Sequence, residues 1–180
     1  MSQDLNEDPR AQRTLQALRG AFFDFILNAP RYEDIKVADI IEAAGVGRST
    51  FYEHFQSKDD MLIKSMQPFF DTLAAVVTDA HDPEGLAWVM RHFWDQRRMV
   101  GIFRMPATRA IIVRGLAATI ERRLVSRGPT RVSAKLVAAQ LAEGQLALIV
   151  AWLSGQASAP PERLAETLAA TSRAAADAAY

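Results

Sequence analysis

Residues 45–58 read Gly-Val-Gly-Arg-Ser-Thr-Phe-Tyr-Glu-His-Phe-Gln-Ser-Lys, a run that mixes polar, cationic and aromatic side chains. Arginine forks onto the O6 and N7 edge of guanine, and Ser, Thr and Tyr hydroxyls reach phosphates or bases. Bond-making chemistry is harder to build from this chain. It has no cysteine, which removes disulfides, thiolate metal sites and cysteine nucleophiles. Its three histidines, His54, His81 and His92, do not share a metal-ligand spacing. No G-x-S-x-G elbow and no pair of acids in an apolar setting suggests nucleophilic or acid–base work. Gly45-Val46-Gly47-Arg48-Ser49-Thr50 comes near a dinucleotide fingerprint. However, the residues before it, IIEAA, read as helix rather than strand, and Thr50 stands where the third glycine belongs. No enzyme activity, no cofactor and no metal are expected.

The elements that must position this run are helical. The chain has 180 residues, 21 Lys+Arg against 21 Asp+Glu, and 49% hydrophobic residues. Its 31 alanines and only 9 Gly and 8 Pro favour helices, and no alternating β-branched run argues for a strand. Leu15, Leu18, Phe22, Phe25 and Ile26 fall at helical spacing, and Pro30 stops that helix. A second helix is expected over Val37–Ala44, closed by Gly45 in the left-handed conformation, and a third from Arg48 to His54. So short a turn makes the two cross steeply, with Val37, Ile40, Val46, Phe51 and Phe55 in a shared core. Gly47, Arg48, Ser49, Thr50, Tyr52 and His54 are then left on the outer side. Ser57 caps a fourth helix with Asp59 and Asp60 in its first turn. Further helices are expected from Pro83, up to Arg104, from Pro106 to Gly128, from a Ser133 cap to Leu153, and from Pro161 to the end. The segment before Arg10 is expected to be an irregular polar arm.

The opening MSQDLNEDPR has no apolar core of the signal-peptide type, and no 18-residue uncharged apolar stretch exists. No membrane partner and a cytoplasmic location are expected. Overall neutrality hides an uneven distribution. Residues 1–66 carry 8 Lys/Arg and 11 Asp/Glu, a net of −3, while residues 97–131 hold nine Arg against the single acid Glu121. That basic stretch reads as a solvated helix face, with an anionic ligand or acidic packing partner as the alternatives.

Residues 37–58 resemble the helix-turn-helix of the TetR family of bacterial transcription regulators. The match lies in Ala44-Gly45-Val46, then Phe51-Tyr52-Glu53-His54-Phe55, then Lys58, and the resemblance extends over about residues 10–66. It implies an all-α fold of about nine helices. A three-helix DNA-binding domain over 10–56 would precede an effector-binding and dimerisation domain over 57–180. By the same resemblance, Arg48, Ser49 and Thr50 face the major groove, and Tyr52, His54 and Lys58 hold phosphates. Lys36 and Val37, at the start of the second helix, and Gly47, at the cap of the third, complete the DNA-facing set. The chain departs from the family pattern where Gly47 replaces a capping Ser or Thr, and where Lys36 replaces Thr.

Large aromatics and Met in an Ala-rich helical domain line apolar ligand pockets. Met66, Phe69, Phe70, Leu73, Trp88, Trp94, Phe103 and Ile112 are therefore the candidate effector pocket, with plain core as the simpler reading. Leu141, Leu148, Trp152, Leu164 and Leu168 lie on the last two helices. A hairpin that is apolar around much of its surface needs a second copy, so these are the candidate interface of a homodimer. The expected function is a ligand-responsive transcriptional regulator, in the repressor mode. It would bind a palindromic double-stranded DNA operator as a homodimer and be released by a small-molecule effector. The alternative is a helical carrier or sensor of apolar small molecules without operator binding.

Overall fold

Proline and glycine placement divides the chain into helices at the positions expected. The computed structural model describes residues 9–78 and 81–180. The expected N-terminal arm therefore lies, Pro9 apart, outside the described residues. Among the described residues the chain forms nine α-helices and no strand. They are α1 (Pro9–Asn28), α2 (Val37–Ala44), α3 (Arg48–His54), α4 (Lys58–Ala75), α5 (Pro83–Asp95), α6 (Val100–Arg104), α7 (Pro106–Arg127), α8 (Ala134–Leu153) and α9 (Pro161–Asp177). Two single turns of 3-10 helix, Tyr32–Asp34 and Arg97–Met99, join α1 to α2 and α5 to α6; neither was anticipated.

The chain divides into two compact units, one ending at Ser65 and the other Met66–Tyr180, with the division inside α4. In the first unit Leu18, Phe22 and Ile26 of α1, Ile40 of α2, and Phe51 and Phe55 are all buried. α2 ends where Gly45 adopts φ 64°, and the N–H groups of Gly45 and Val46 return to the Glu42 and Ile41 carbonyls at 3.1 and 3.2 Å. A β-carbon at that φ is strained, so glycine is what closes this turn tightly. The Ser57 hydroxyl accepts from the Asp60 amide at 3.1 Å, which starts α4 as its sequence predicts.

In the second unit α7 packs along α8 and α5 along α9, with α6 against both α7 and α8. Asp82 caps α5 by accepting from the Glu84 amide at 3.0 Å. Ser133 occupies the cap position of α8 but makes no side-chain cap bond, a departure from the expected cap. α8 is long and apolar enough by composition to cross a bilayer, with a mean hydropathy of 1.6, yet half of that window is buried within the protein. Nine of its residues, Leu146 and Ile149 among them, face the core.

Candidate nucleic-acid interface

α3 is seven residues long, and its two faces differ sharply. Phe51 is fully buried, and its ring meets Phe55 at 5.6 Å and the edge of Tyr52 at 5.3 Å. Anchoring Phe51 in this way turns Ser49, Thr50 and Tyr52, one and two positions away, off the buried face, while Arg48 and His54 flank it at the two ends of the helix. Arg48, Ser49 and Tyr52 are exposed, and Thr50 and His54 are partly so. The Arg48 guanidinium sits 5.7 Å from the Tyr52 ring centroid, a cation–π contact that holds the cation on the outer face. Lys36, at the cap position of α2, is exposed, and Val37 is half-buried.

Gly47 caps α3 with extended backbone, φ −75° and ψ 152°, and without a side-chain bond. A β-carbon there would meet only the Thr50 and Ser49 hydroxyl oxygens, at 3.6 and 3.7 Å, which is ordinary contact distance. Gly47→Ser is therefore expected to stabilise the unit by about a few tenths of a kcal/mol, since a seryl oxygen can accept a free first-turn amide. A urea titration checks this, and an unchanged or lower midpoint would mean that the added side chain finds no amide.

Lys58 has a different environment from the rest of the set. Its ammonium donates to the Tyr32 and Ile35 carbonyls at 2.7 and 2.9 Å and lies 3.4 Å from the Glu33 carbonyl. It also stands 4.4 Å from the Tyr32 ring centroid. An ammonium has three N–H donors, and all three are directed inward. The Lys58 donors are thus engaged by backbone carbonyls, an environment its sequence position does not announce. The signal missed was the 3-10 turn at Tyr32–Asp34, whose carbonyls need a partner. Tyr32 is part of the same knot. It is buried, and its hydroxyl donates to Asp59 Oδ1 at 2.9 Å. Burial first, and the Asp59 carboxylate second, push its phenol far above the ordinary range, so it remains a donor.

The expected effector-pocket residues divide between core and surface. Phe70 is fully buried, Met66, Leu73, Phe103 and Ile112 are also buried, and Trp88 and Trp94 are 54% and 38% exposed. A β-carbon on Gly115 of α7 would lie 2.7 Å from Phe70 Cε2. The glycine therefore exists to receive that ring, and the space is filled rather than vacant. Phe69, Trp88 and His92 stack face to face, with Phe69–His92 and Trp88–His92 centroids at 5.2 and 5.3 Å. The cleft of about 620 Å³ in this unit lies elsewhere, between α5 and α9. Val76, Leu86, Ala87, Ala165 and Ala169 give it an apolar lining, and Arg91 and Glu162, paired at 2.9 Å, stand among its charged residues.

The expected dimer residues divide between the core of the second unit and its surface. Leu141, Trp152, Leu164 and Leu168 are all buried inside the second unit. Trp152 donates its indole N–H to the Ala159 carbonyl at 2.9 Å and packs on Trp94 at 4.9 Å. Their burial is met within one chain, as the hairpin reading had it. Leu148 alone of the five is half-exposed. It lines a groove of about 310 Å³ together with two others of the five, Leu141 and Leu168, and with Gly144, Thr167 and Thr171. In the arginine-rich stretch, Arg109 pairs with Glu143 and Arg127 with Asp177, each at 2.6 Å, and Arg97 lies on the Trp94 ring. These arginines serve packing within their own unit.

Comparison with known proteins agrees with this geometry. Residues 32–64 match the family model of bacterial regulatory proteins of the tetR family. Over 60 residues, 33% of the chain, the sequence is 35% identical to the uncharacterized HTH-type transcriptional regulator YxbF of Bacillus subtilis (strain 168). That match spans only 16% of the relative's length. Two solved structures share the fold across nearly the whole chain. A TetR-family regulator from Streptomyces coelicolor A3 covers 96% of this chain and 99% of its own, with TM-score 0.62 at 17% identity. A TetR transcriptional regulator from Streptococcus agalactiae 2603V covers 92% and 97%, with TM-score 0.55 at 22% identity.

Proposed function

We propose that this chain, which belongs to the TetR family of bacterial regulators, is a ligand-responsive transcriptional repressor that binds a palindromic operator as a homodimer. The observation that carries the reading is the outer face of α3. Arg48, Ser49 and Tyr52 are held exposed over a buried Phe51–Phe55 anchor, and Arg48 lies on the Tyr52 ring. A short helix docked by its apolar side presents its opposite side to a major groove. Arg48, Ser49 and Thr50 read base edges, and Lys36, Tyr52 and His54 hold the flanking backbone. Two copies would place two such helices about one DNA turn apart, ~34 Å. A carrier of apolar molecules has no use for an exposed cationic and hydroxylic set on a short docked helix, which argues against the alternative reading.

The second copy docks on the outer side of α8 and α9. Leu136 there is 68% exposed, and Gly144, Leu148, Thr167 and Thr171 line the shallow groove. Small residues of this kind let helices of two protomers approach closely. The effector enters the α5/α9 cleft. It can lower DNA affinity only by as much as it prefers the form that does not fit the operator. The protein acts in the cytoplasm, where its DNA is.

The test is a titration of duplexes taken from the DNA adjoining the protein's own gene, with each base of the palindrome substituted in turn. Arg48→Ala is expected to cost about 1–3 kcal/mol and to abolish the preference at one position of each half-site. A uniform loss over all duplexes would make Arg48 a phosphate contact, and no loss would remove α3 from the interface.

A further inference from the structure

We propose that Lys58 is a positioning residue and not a phosphate contact: its ammonium is a clasp that fixes the turn before α2 to the start of α4. This inference rests on the DNA-binding reading above, because what the clasp positions is the DNA-facing start of α2. The turn Tyr32–Asp34 closes with only two backbone bonds, Asp34 N–H to Arg31 O and Ile35 N–H to Tyr32 O, both 3.2 Å. The carbonyls of Tyr32 and Ile35, both partly buried, and the exposed carbonyl of Glu33 therefore converge with little helical hydrogen bonding to satisfy them, and carbonyls withdrawn from water need donors. Lys58 supplies them from one point, at 2.7, 3.4 and 2.9 Å.

The residue next to Lys58 completes the tie. Asp59 accepts from the Tyr32 hydroxyl at 2.9 Å, while the Lys58 ammonium lies 4.4 Å from the centre of the same ring. Tyr32 is thus gripped at its backbone, its ring and its hydroxyl by two consecutive residues of α4. The consequence reaches α2 through a single peptide. The Ile35 carbonyl accepts from the Lys58 ammonium, and the carbonyl of the next residue, Lys36, accepts the first helical bonds of α2 from Asp39 and Ile40 at 3.2 and 3.3 Å. Whatever moves Ile35 moves Lys36 and Val37. A phosphate could take the Lys58 donors only by opening the clasp.

Arginine and lysine separate the two roles. A flat guanidinium serves a phosphate at least as well as an ammonium, but it cannot direct three N–H groups from one point at three carbonyls. The experiment measures binding of a mixed-sequence duplex over a salt series for the wild type, Lys58→Arg and Lys58→Met. A clasp predicts that both variants bind about tenfold or more weakly at fixed salt, with the slope of log K against log salt within about 0.5 of wild type, because no phosphate-neutralising charge has been lost. It also predicts faster amide hydrogen exchange over residues 35–41. A phosphate contact predicts a Met variant whose slope is shallower by about 0.9 per subunit and an Arg variant of wild-type affinity, and this result overturns the proposal. If the Met variant fails to fold, the Arg variant decides alone: weaker binding at unchanged slope supports the clasp, and wild-type affinity removes it. A wild type that binds no duplex would instead overturn the DNA-binding reading, and the two failures are thereby distinguished.

Discussion

Replacing Trp152 with alanine is expected to destabilise the second unit by about 3–5 kcal/mol, the range for truncating a large buried aromatic. The indole is 2% exposed, donates to the Ala159 carbonyl at 2.9 Å and packs on Trp94 at 4.9 Å. Truncation leaves a cavity, an unpaired carbonyl at the end of the loop before α9, and a Trp94 ring without its neighbour. A domain of this size has about 5–15 kcal/mol in total, so the loss is a large fraction of what holds it folded. The measurement is urea denaturation at two protein concentrations tenfold apart. A core role lowers the midpoint equally at both. Had Trp152 been an interface residue, as its place on an apolar hairpin suggests, the loss would shrink as concentration rises and mass action restores the dimer. A folded, stable monomer from the variant would return Trp152 to the interface.

The first unit was legible because its signals are local. Pro30 after α1, Gly45 after α2 and Ser57 before α4 are each read within a few residues of the boundary they create, and α2 and α3 fall on the expected bounds. The second unit was legible as helices but not as surfaces. Apolar periodicity at Leu141, Trp152, Leu164 and Leu168 states that these side chains are buried; it carries no information on which chain buries them. Aromatic content at Phe70 and Phe103 similarly reports volume, not vacancy. Only Gly115, far along the sequence, says that the space beside Phe70 is filled. The environment of Lys58 was hidden for the same reason. Its type and position suit a phosphate, whereas the carbonyls that hold it lie 23 to 26 residues earlier, in a turn without a helical period. The α5/α9 cleft was missed because it is lined largely by alanines and charged residues, which read as solvated helix faces.

On the proposed reading, binding of a dimer to its operator should weaken by about 10³–10⁴-fold between about 50 and 200 mM salt. The argument starts from charge placement. Residues 1–66 carry 8 Lys/Arg and 11 Asp/Glu, so the DNA-binding unit as a whole is repelled by a polyanion. Attraction must therefore come from individual exposed cations: Lys36, with Arg10 and Arg13 near the start of α1, and Arg48, which adds its charge while reading bases. Three or four neutralised phosphates per subunit make six to eight for the dimer, and each contributes about −0.9 to the slope of log K against log salt. The slope is then about −5 to −7, and a fourfold rise in salt spans ~0.6 of a log unit, which yields the stated loss. The unfavourable charge of the remaining surface sharpens the consequence. Non-specific binding, which depends on the phosphate term alone, should become undetectable first, so discrimination for the operator rises with salt even as affinity falls. A monomer binding one half-site would show about half this slope. A slope near zero on the true operator would mean that the outer face of α3 does not meet DNA, however well its side chains are suited to it.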